Sequence, residues 1–234
     1  MSPRFPCLLL WLALGAAAPA ADAPRTLVFF GDSLTAGYGL DDPATESFPA
    51  LIQARIDAAR LPWRTVNAGL SGETTAGGLR RVEWILRQPV ALFVLALGGN
   101  DGLRGLEPAV TAANLQAIID RVHARSPDAR IVLAGLQLPP TMGEDYTRAF
   151  AALYPALAAR NRLVLVPFLL EGVGGRAELN QPDGIHPNAE GTARVAATLW
   201  QTLQPLLGPA PAPADQPAPP PAPGNKLASP RVPR

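Results

Sequence analysis

Five apolar runs punctuate the chain, at 26–31 (Thr26-Leu27-Val28-Phe29-Phe30-Gly31), 64–68, 90–97, 130–137 and 163–166. They are continuous rather than alternating, as expected of strands buried on both faces of a parallel sheet. Between them, apolar positions recur every three to four residues over 47–60, 74–86, 108–124, 146–160 and 188–206, the period of amphipathic helices. Repeated strand–helix steps predict an α/β protein, a three-layer α/β/α sandwich around a five-stranded parallel sheet. Such sheets bind ligands beyond the carboxyl ends of their strands. Ser33 and the segments 69–72 and 98–100 each follow a predicted strand, so they should meet at one edge of the sheet.

The ends depart from this pattern. Residues 1–20 carry one charge, Arg4, then the apolar run Leu8-Leu9-Leu10-Trp11-Leu12-Ala13-Leu14 and small residues ending Ala18-Pro19-Ala20. This is the layout of a secretory signal peptide, with an apolar core too short for a membrane span. Cleavage near Ala20 and a periplasmic or secreted location are therefore expected, with no stable span in the mature chain. The single cysteine, Cys7, would leave with the leader, excluding disulfide and thiol chemistry from the mature protein. Residues 208–234 hold ten prolines, mixed with alanine and almost without large apolar side chains, which predicts a disordered, partly polyproline tail. The body, 21–207, is long enough for one domain with its own core.

Charge removes one class of partner. The 20 Lys and Arg nearly balance the 19 Asp and Glu, and setting aside Arg4, Lys226, Arg231 and Arg234 against Asp215 leaves a slightly acidic body. Nucleic-acid binding would call for a basic face instead.

The chemistry centres on Gly31-Asp32-Ser33-Leu34-Thr35-Ala36-Gly37. A serine hydroxyl is a weak nucleophile until a base takes its proton and a third group orients that base. The chain has two histidines. His123 lies in a helical pattern that ends at Ser126-Pro127 and reads as a surface residue. His186 sits in the turn Asp183-Gly184-Ile185-His186-Pro187, with a carboxylate three residues upstream that can curl back onto the ring. The Gly-X-Ser-X-Gly elbow of α/β-hydrolases surrounds neither Ser33 nor Ser71, which leaves Ser71 a weaker second candidate.

Four blocks in order resemble the SGNH or GDSL hydrolases, and within them the thioesterase I, lysophospholipase L1 and arylesterase group. They are Gly31-Asp32-Ser33-Leu34, Asn67-Ala68-Gly69-Leu70-Ser71-Gly72-Glu73-Thr74, Gly98-Gly99-Asn100-Asp101 and Asp183-Gly184-Ile185-His186-Pro187. The likeness extends over about residues 26 to 206. It implies a flavodoxin-like sandwich and a monomeric serine esterase acting on small acyl esters or thioesters, with no metal or organic cofactor. Ser33 would be the nucleophile, His186 the base and Asp183 its orienting partner. The resemblance assigns the oxyanion hole to the backbone N–H of Ser33 and Gly72 and to the amide of Asn100. It also borders the acyl groove with the loops 102–107 and 138–143, so that Asp32, Gly102, Leu103, Leu106, Leu138 and Met142 are expected to touch substrate.

Each assignment has a plainer counterpart: Ser33 as a helix N-cap, Asp183 and His186 as a polar turn, Gly72 as a tight turn, Asn100 as a loop brace. A metal site built from Asp32, Asp101 and Asp183 is discounted because a divalent ion wants several converging ligands. Trp63, Trp84 and Trp200 fall in predicted strands or helices and read as core, although a carbohydrate acetylesterase would use tryptophans as sugar platforms. A non-catalytic lipid or glycan receptor is the alternative from outside the enzymes.

Overall fold

The computed structural model describes residues 23–208. The leader, with Cys7, and the tail beyond Gly208 lie outside the described residues. Strands β1 (Arg25–Gly31), β2 (Trp63–Gly69), β3 (Leu92–Ala96), β4 (Arg130–Ala134) and β5 (Val164–Val166) form one parallel sheet in the order β2-β1-β3-β4-β5. The helices are α1 (Ser33–Ala36), α2 (Pro43–Glu46), α3 (Phe48–Ala58), α4 (Thr75–Ile85), α5 (Gly99–Leu103), α6 (Pro108–Arg125), α7 (Glu144–Asn161) and α8 (Ala189–Leu207).

The chain leaves β1 in one direction to reach β2, then returns over β1 to β3 and continues outward. Right-handed crossovers therefore put α3 on one face and α4, α6 and α7 on the other. The packing follows: α4 lies against α6 and α6 against α7, while α8 joins α3. The strand order reverses between β1 and β3, and there the loops diverge and open a crevice. Ser33 follows β1, Asn100 follows β3 and Gly72 follows β2, so the predicted meeting at one edge is what the topology produces.

All five residues of β3 are buried. On β1, Leu27, Val28, Phe29 and Phe30 are each no more than 2% exposed; Phe29 meets Phe48 of α3 edge-on at 5.6 Å, and Phe30 meets Phe93 at 5.4 Å. At the opposite edge of the sheet, Trp63 Nε1 donates to the carbonyl of Leu207 at 2.7 Å, and Arg130 donates to that of Leu206, satisfying two carbonyls at the end of α8.

The predicted long helices match those observed to within a few residues. Three short ones, α1, α2 and α5, were not expected, because periodicity needs several turns to show itself. Strands β3 and β4 are shorter than the apolar runs that contain them. Pairing ends where the neighbouring strand ends, with Ala134 opposite Val166, while Val90, Leu97 and Leu136 stay buried outside the ladder. Trp63 is core and Trp200 packs partly buried against it, but Trp84 is 66% exposed on α4, a correction to the expectation for all three. His123 is an exposed residue of α6, as its helical context implied.

Candidate active site

Asp32 directly follows β1 and caps α1, its Oδ1 accepting from Leu34 N at 3.1 Å. The cap is thus Asp32 and not Ser33, which leaves the Ser33 hydroxyl free at the first position of the helix. His186 Nε2 lies 2.8 Å from Ser33 Oγ, and His186 Nδ1 lies 2.6 Å from Asp183 Oδ2. The Nδ1 contact with a carboxylate selects the tautomer in which Nδ1 carries the proton and Nε2 accepts one. The imidazole is 17% exposed and the Asp183 carboxylate 38%.

The loop that carries these two residues is held largely by hydrogen bonds. Asp183 Oδ1 accepts from the amides of Ile185 and His186 at 2.9 and 3.0 Å. Gln181 N donates to His186 O at 2.7 Å, Asn180 and Pro187 form an isolated antiparallel bridge, and Asn188 caps α8 while its Nδ2 donates to Glu178 O. Burial pushes the Asp183 carboxyl up, but the amide and imidazole donors of His186 and the Ile185 amide outweigh it, and the carboxyl is held at about 2. Asp183 therefore stays ionised whenever the imidazole can work as a base.

Gly72 and Asn100 line the same cleft, of about 330 Å³, with Ser33, Tyr38, Ser71, Gly99, Leu103, Asp183, Ile185 and His186. Gly72 has φ +77°, a conformation that a side chain disfavours, and its carbonyl accepts from Arg104 Nη2 at 3.0 Å. Arg104 closes α5, so this bond ties the Gly72 loop to the helix that bears Asn100. Arg81 braces the same loops from below: its guanidinium donates to Gly31 O and Ala68 O, at the ends of β1 and β2, and to Glu73 Oε2 at 2.6 Å.

Asn100 Nδ2 points at Asp32 Oδ2 across 3.5 Å. Asp32 is 2% exposed, and burial pushes its carboxyl up to about 6 against the Leu34 amide, the His186 charge and the Asn100 amide, which favour the charged form. Asp101 is fully buried and accepts from Thr75 N at 2.8 Å and Thr75 Oγ1 at 2.5 Å, anchoring α5 to α4. Among the described residues, no group of three or more His, Cys, Asp or Glu side chains is placed to hold a metal ion.

Four of the expected substrate contacts are not brought into the cleft. Leu138 is 8% exposed and packs against Gly102, where a Cβ would collide with its side chain, so these two are core partners. Met142 packs on the core, and the Leu106 backbone is tethered by the Tyr146 hydroxyl at 2.7 Å, outside the cleft lining. Leu138 and Met142 are drawn to buried surface that sequence position alone does not locate, while Leu106 stays 38% exposed outside the lining. Ser71 lines the cleft, but the imidazole hydrogen-bonds to Ser33. None of Trp63, Trp84 and Trp200 lines the cleft, so a sugar platform built on them is absent there. The residues that the sequence did not point to are Tyr38, Gln181, Arg81 and Arg104. Their only signal was nearness to the motifs.

A parallel sheet with a Ser–His–Asp chain at its switch point belongs to a recognisable class of hydrolase, and residues 29–194 match the model of the GDSL-like lipase/acylhydrolase family. The chain is a member of that family and a serine hydrolase acting on ester bonds. Esterase TesA of Pseudomonas aeruginosa is 44% identical over 185 residues, which cover 79% of this chain and 90% of that one. Thioesterase 1/protease 1/lysophospholipase L1 of Escherichia coli K12 is 40% identical over 187 residues, covering 80% and 86%. The crystal structure of AlinE4, an SGNH-hydrolase family esterase, superimposes with a TM-score of 0.65 at 40% identity, covering 82% of this chain and all of the other.

Proposed function

We propose that the chain hydrolyses acyl esters and thioesters through a covalent acyl-Ser33 intermediate. Ser33 Oγ attacks the carbonyl carbon while His186 Nε2 takes its proton, and Asp183 stabilises the imidazolium. The oxyanion that develops is met by the N–H groups of Ser33 and Gly72 and the Asn100 amide, donors worth roughly 10²- to 10³-fold each. Collapse breaks the bond from the acyl carbon to the leaving oxygen or sulfur, which receives its proton from His186. Water then enters, gives a proton to His186, and attacks the acyl carbon to release the acid and restore Ser33. No step calls for a metal or organic cofactor, and one copy of the chain supplies every group named.

The unbroken contact chain Ser33–His186–Asp183, at 2.8 and 2.6 Å, carries this reading. Ester and thioester substrates are supported by relatives named as an esterase and as a thioesterase and lysophospholipase. A periplasmic or secreted location rests on the leader-like pattern of residues 1–20. Among the described residues no helix is long and apolar enough to cross a membrane.

The test is covalent labelling with a fluorophosphonate, followed by sequencing of the modified peptide. A single adduct on Ser33, lost in His186→Ala, is the expected result. An adduct on Ser71, or none on the folded protein, would overturn the assignment.

A further inference from the structure

The slightly acidic balance of the body conceals a separation of charge along the strand axis. All five strands start at one edge of the sheet, and the long helices that run back over it end there. One end of the sandwich therefore gathers the helix-to-strand turns and the other the strand-to-helix loops. At the starting end, segments 55–64, 82–92, 122–130 and 158–164, with Arg25 heading β1, hold nine arginines against three carboxylates, Asp57, Glu83 and Asp128. At the end that bears the cleft, segments 32–46, 70–78, 97–111, 135–147 and 167–192 hold thirteen carboxylates against two arginines, Arg104 and Arg176.

Part of this separation has a local cause. Cations in the last turn of a helix offset its macrodipole, which covers Arg55, Arg125 and Arg160, and Arg125 also pairs with Glu83 at 3.0 Å. Arg25 stacks on Trp63, its guanidinium 4.2 Å from the ring centroid, and Arg130 donates to Leu206 O. The other four, Arg60, Arg64, Arg87 and Arg162, are exposed, and among the described residues none of them pairs with a carboxylate. Arg60 and Arg162 have φ +53° and +54°, and they are the two residues other than glycine with positive φ among those described. Glycine is the usual occupant of such a position after a helix, so arginine stands at both despite a backbone that disfavours it. Burial, and then the Arg25 charge, hold the Arg130 guanidinium below its ordinary value, so cations at this end act on one another. Gly208 closes α8 at the same end, and the sequence beyond it carries Lys226, Arg231 and Arg234 against Asp215.

We propose that this arginine-rich end docks on an anionic lipid bilayer through the headgroup phosphates, with the cleft turned away from the bilayer. The exposed cations are spread over all three layers: Arg60 follows α3 on one face, Arg64 lies in β2, and Arg87 and Arg162 follow α4 and α7 on the other. That breadth fits a plane of phosphates, which an exposed guanidinium meets with several donors. The carboxylates of the opposite end are repelled by the same plane, which sets the orientation. None of the nine arginines lines the cleft, so docking and hydrolysis are separable.

The experiment measures sedimentation of the full chain with vesicles of phosphatidylcholine alone and with about one third phosphatidylglycerol, and reads the ratio of the two affinities. Wild type is expected to prefer the anionic vesicles by roughly a hundredfold or more at low salt, and the preference should shrink in about 0.5 M salt. The variant Arg60→Asn/Arg64→Gln/Arg87→Gln/Arg162→Asn should lose roughly fivefold of that preference for each arginine removed. Asparagine is used at 60 and 162 because it tolerates positive φ. If thermal melting shows this variant unfolded, Arg64→Gln/Arg87→Gln gives the same readout. Arg148→Gln/Arg176→Gln, the same change toward the cleft end, should keep the preference within about twofold, and vesicle-bound wild type should hydrolyse a soluble short-chain ester as fast as free enzyme. Equal affinity for the two vesicles, preference retained without the four arginines, or an equal loss in the cleft-end variant would overturn the docking face. A DNA duplex bound as tightly as the anionic vesicles would overturn the bilayer as its partner, and loss of soluble-ester hydrolysis on binding would overturn the orientation. The affinity ratios are read without turnover, so failure of the serine mechanism would leave them intact.

Discussion

Two loop regions build the candidate active site, and they are held by different physics. The turns after β1 and β3 are anchored by burial: Asp32 and Asp101 are 2% and 0% exposed, set beside Phe30 and Leu97 of the core, and α1 and α5 begin within two or three residues of the strands. The loop from Asn180 to Pro187 is mostly exposed and is held by backbone bonds, the Gln181 amide and the three bonds that Asp183 makes to its neighbours. The nucleophile and Asn100 thus ride on the sheet, while the base rides on a hydrogen-bonded strap. The first arrangement resists displacement because moving it opens a core. The second is cheaper to deform, since each exposed hydrogen bond contributes only about 1 kcal/mol net.

The largest expected effect falls on both regions at once, because the nucleophile and its base work as a unit. Ser33→Ala or His186→Ala should lower kcat by about 10⁴-fold or more, with the double variant losing little beyond either single change. A double loss equal to the product of the singles, measured by steady-state kinetics, would show that the two do not act together. Asp183→Asn should cost a similar factor by releasing the wrong tautomer while leaving the fold intact. Because its carboxyl sits at about 2, Asp183 should add no proton to the activity lost between neutral pH and about 4. A limiting slope of two in that range in the pH–rate profile of Asp32→Asn, which lacks the carboxyl held at about 6, would contradict this.

On the buried side, Asn100→Ala should reduce kcat by roughly 10²- to 10³-fold with little change in KM. A change confined to KM would place Asn100 in substrate binding alone. On the exposed side, Gln181→Ala removes two bonds that join Tyr38 to the histidine loop. It should lower kcat by about tenfold and speed amide exchange between 181 and 187 while leaving that of β1 and β3 unchanged. Uniform acceleration of exchange across the sheet would erase the distinction between the two regions.

The smallest effect on activity and the clearest on stability belongs to Asp32. Its folded carboxyl, at about 6, lies above the value of 3.8 for a free one, so between those two values the folded state holds a proton that the unfolded state has released. Stability must then fall as pH rises from about 4 to about 6, and by neutral pH the burial costs on the order of 3 kcal/mol. Asp32→Asn keeps an oxygen to cap Leu34 and removes the charge. It should raise stability to denaturant at pH 7 and have little effect at pH 4. Equal effects at the two values would mean that Asp32 titrates normally.

Much of this protein is legible in its sequence because it depends on local spacing. The continuous apolar runs of β1 and β3 demand a doubly covered sheet, the period of 108–124 demands a helix, and the three-residue step from Asp183 to His186 lets a carboxylate fold back onto its own imidazole. Even the edge on which Ser33 and Asn100 meet follows from their places after parallel strands. Tertiary structure alone decides what faces what across long separations. Leu138 turned inward against Gly102, Trp84 stayed in solvent, and Gln181 reached across more than a hundred residues of chain to hold Tyr38 beside the imidazole. A loop side chain settles where the packed elements leave room and an unmet hydrogen bond, and neither exists until the sheet and its helices have come together.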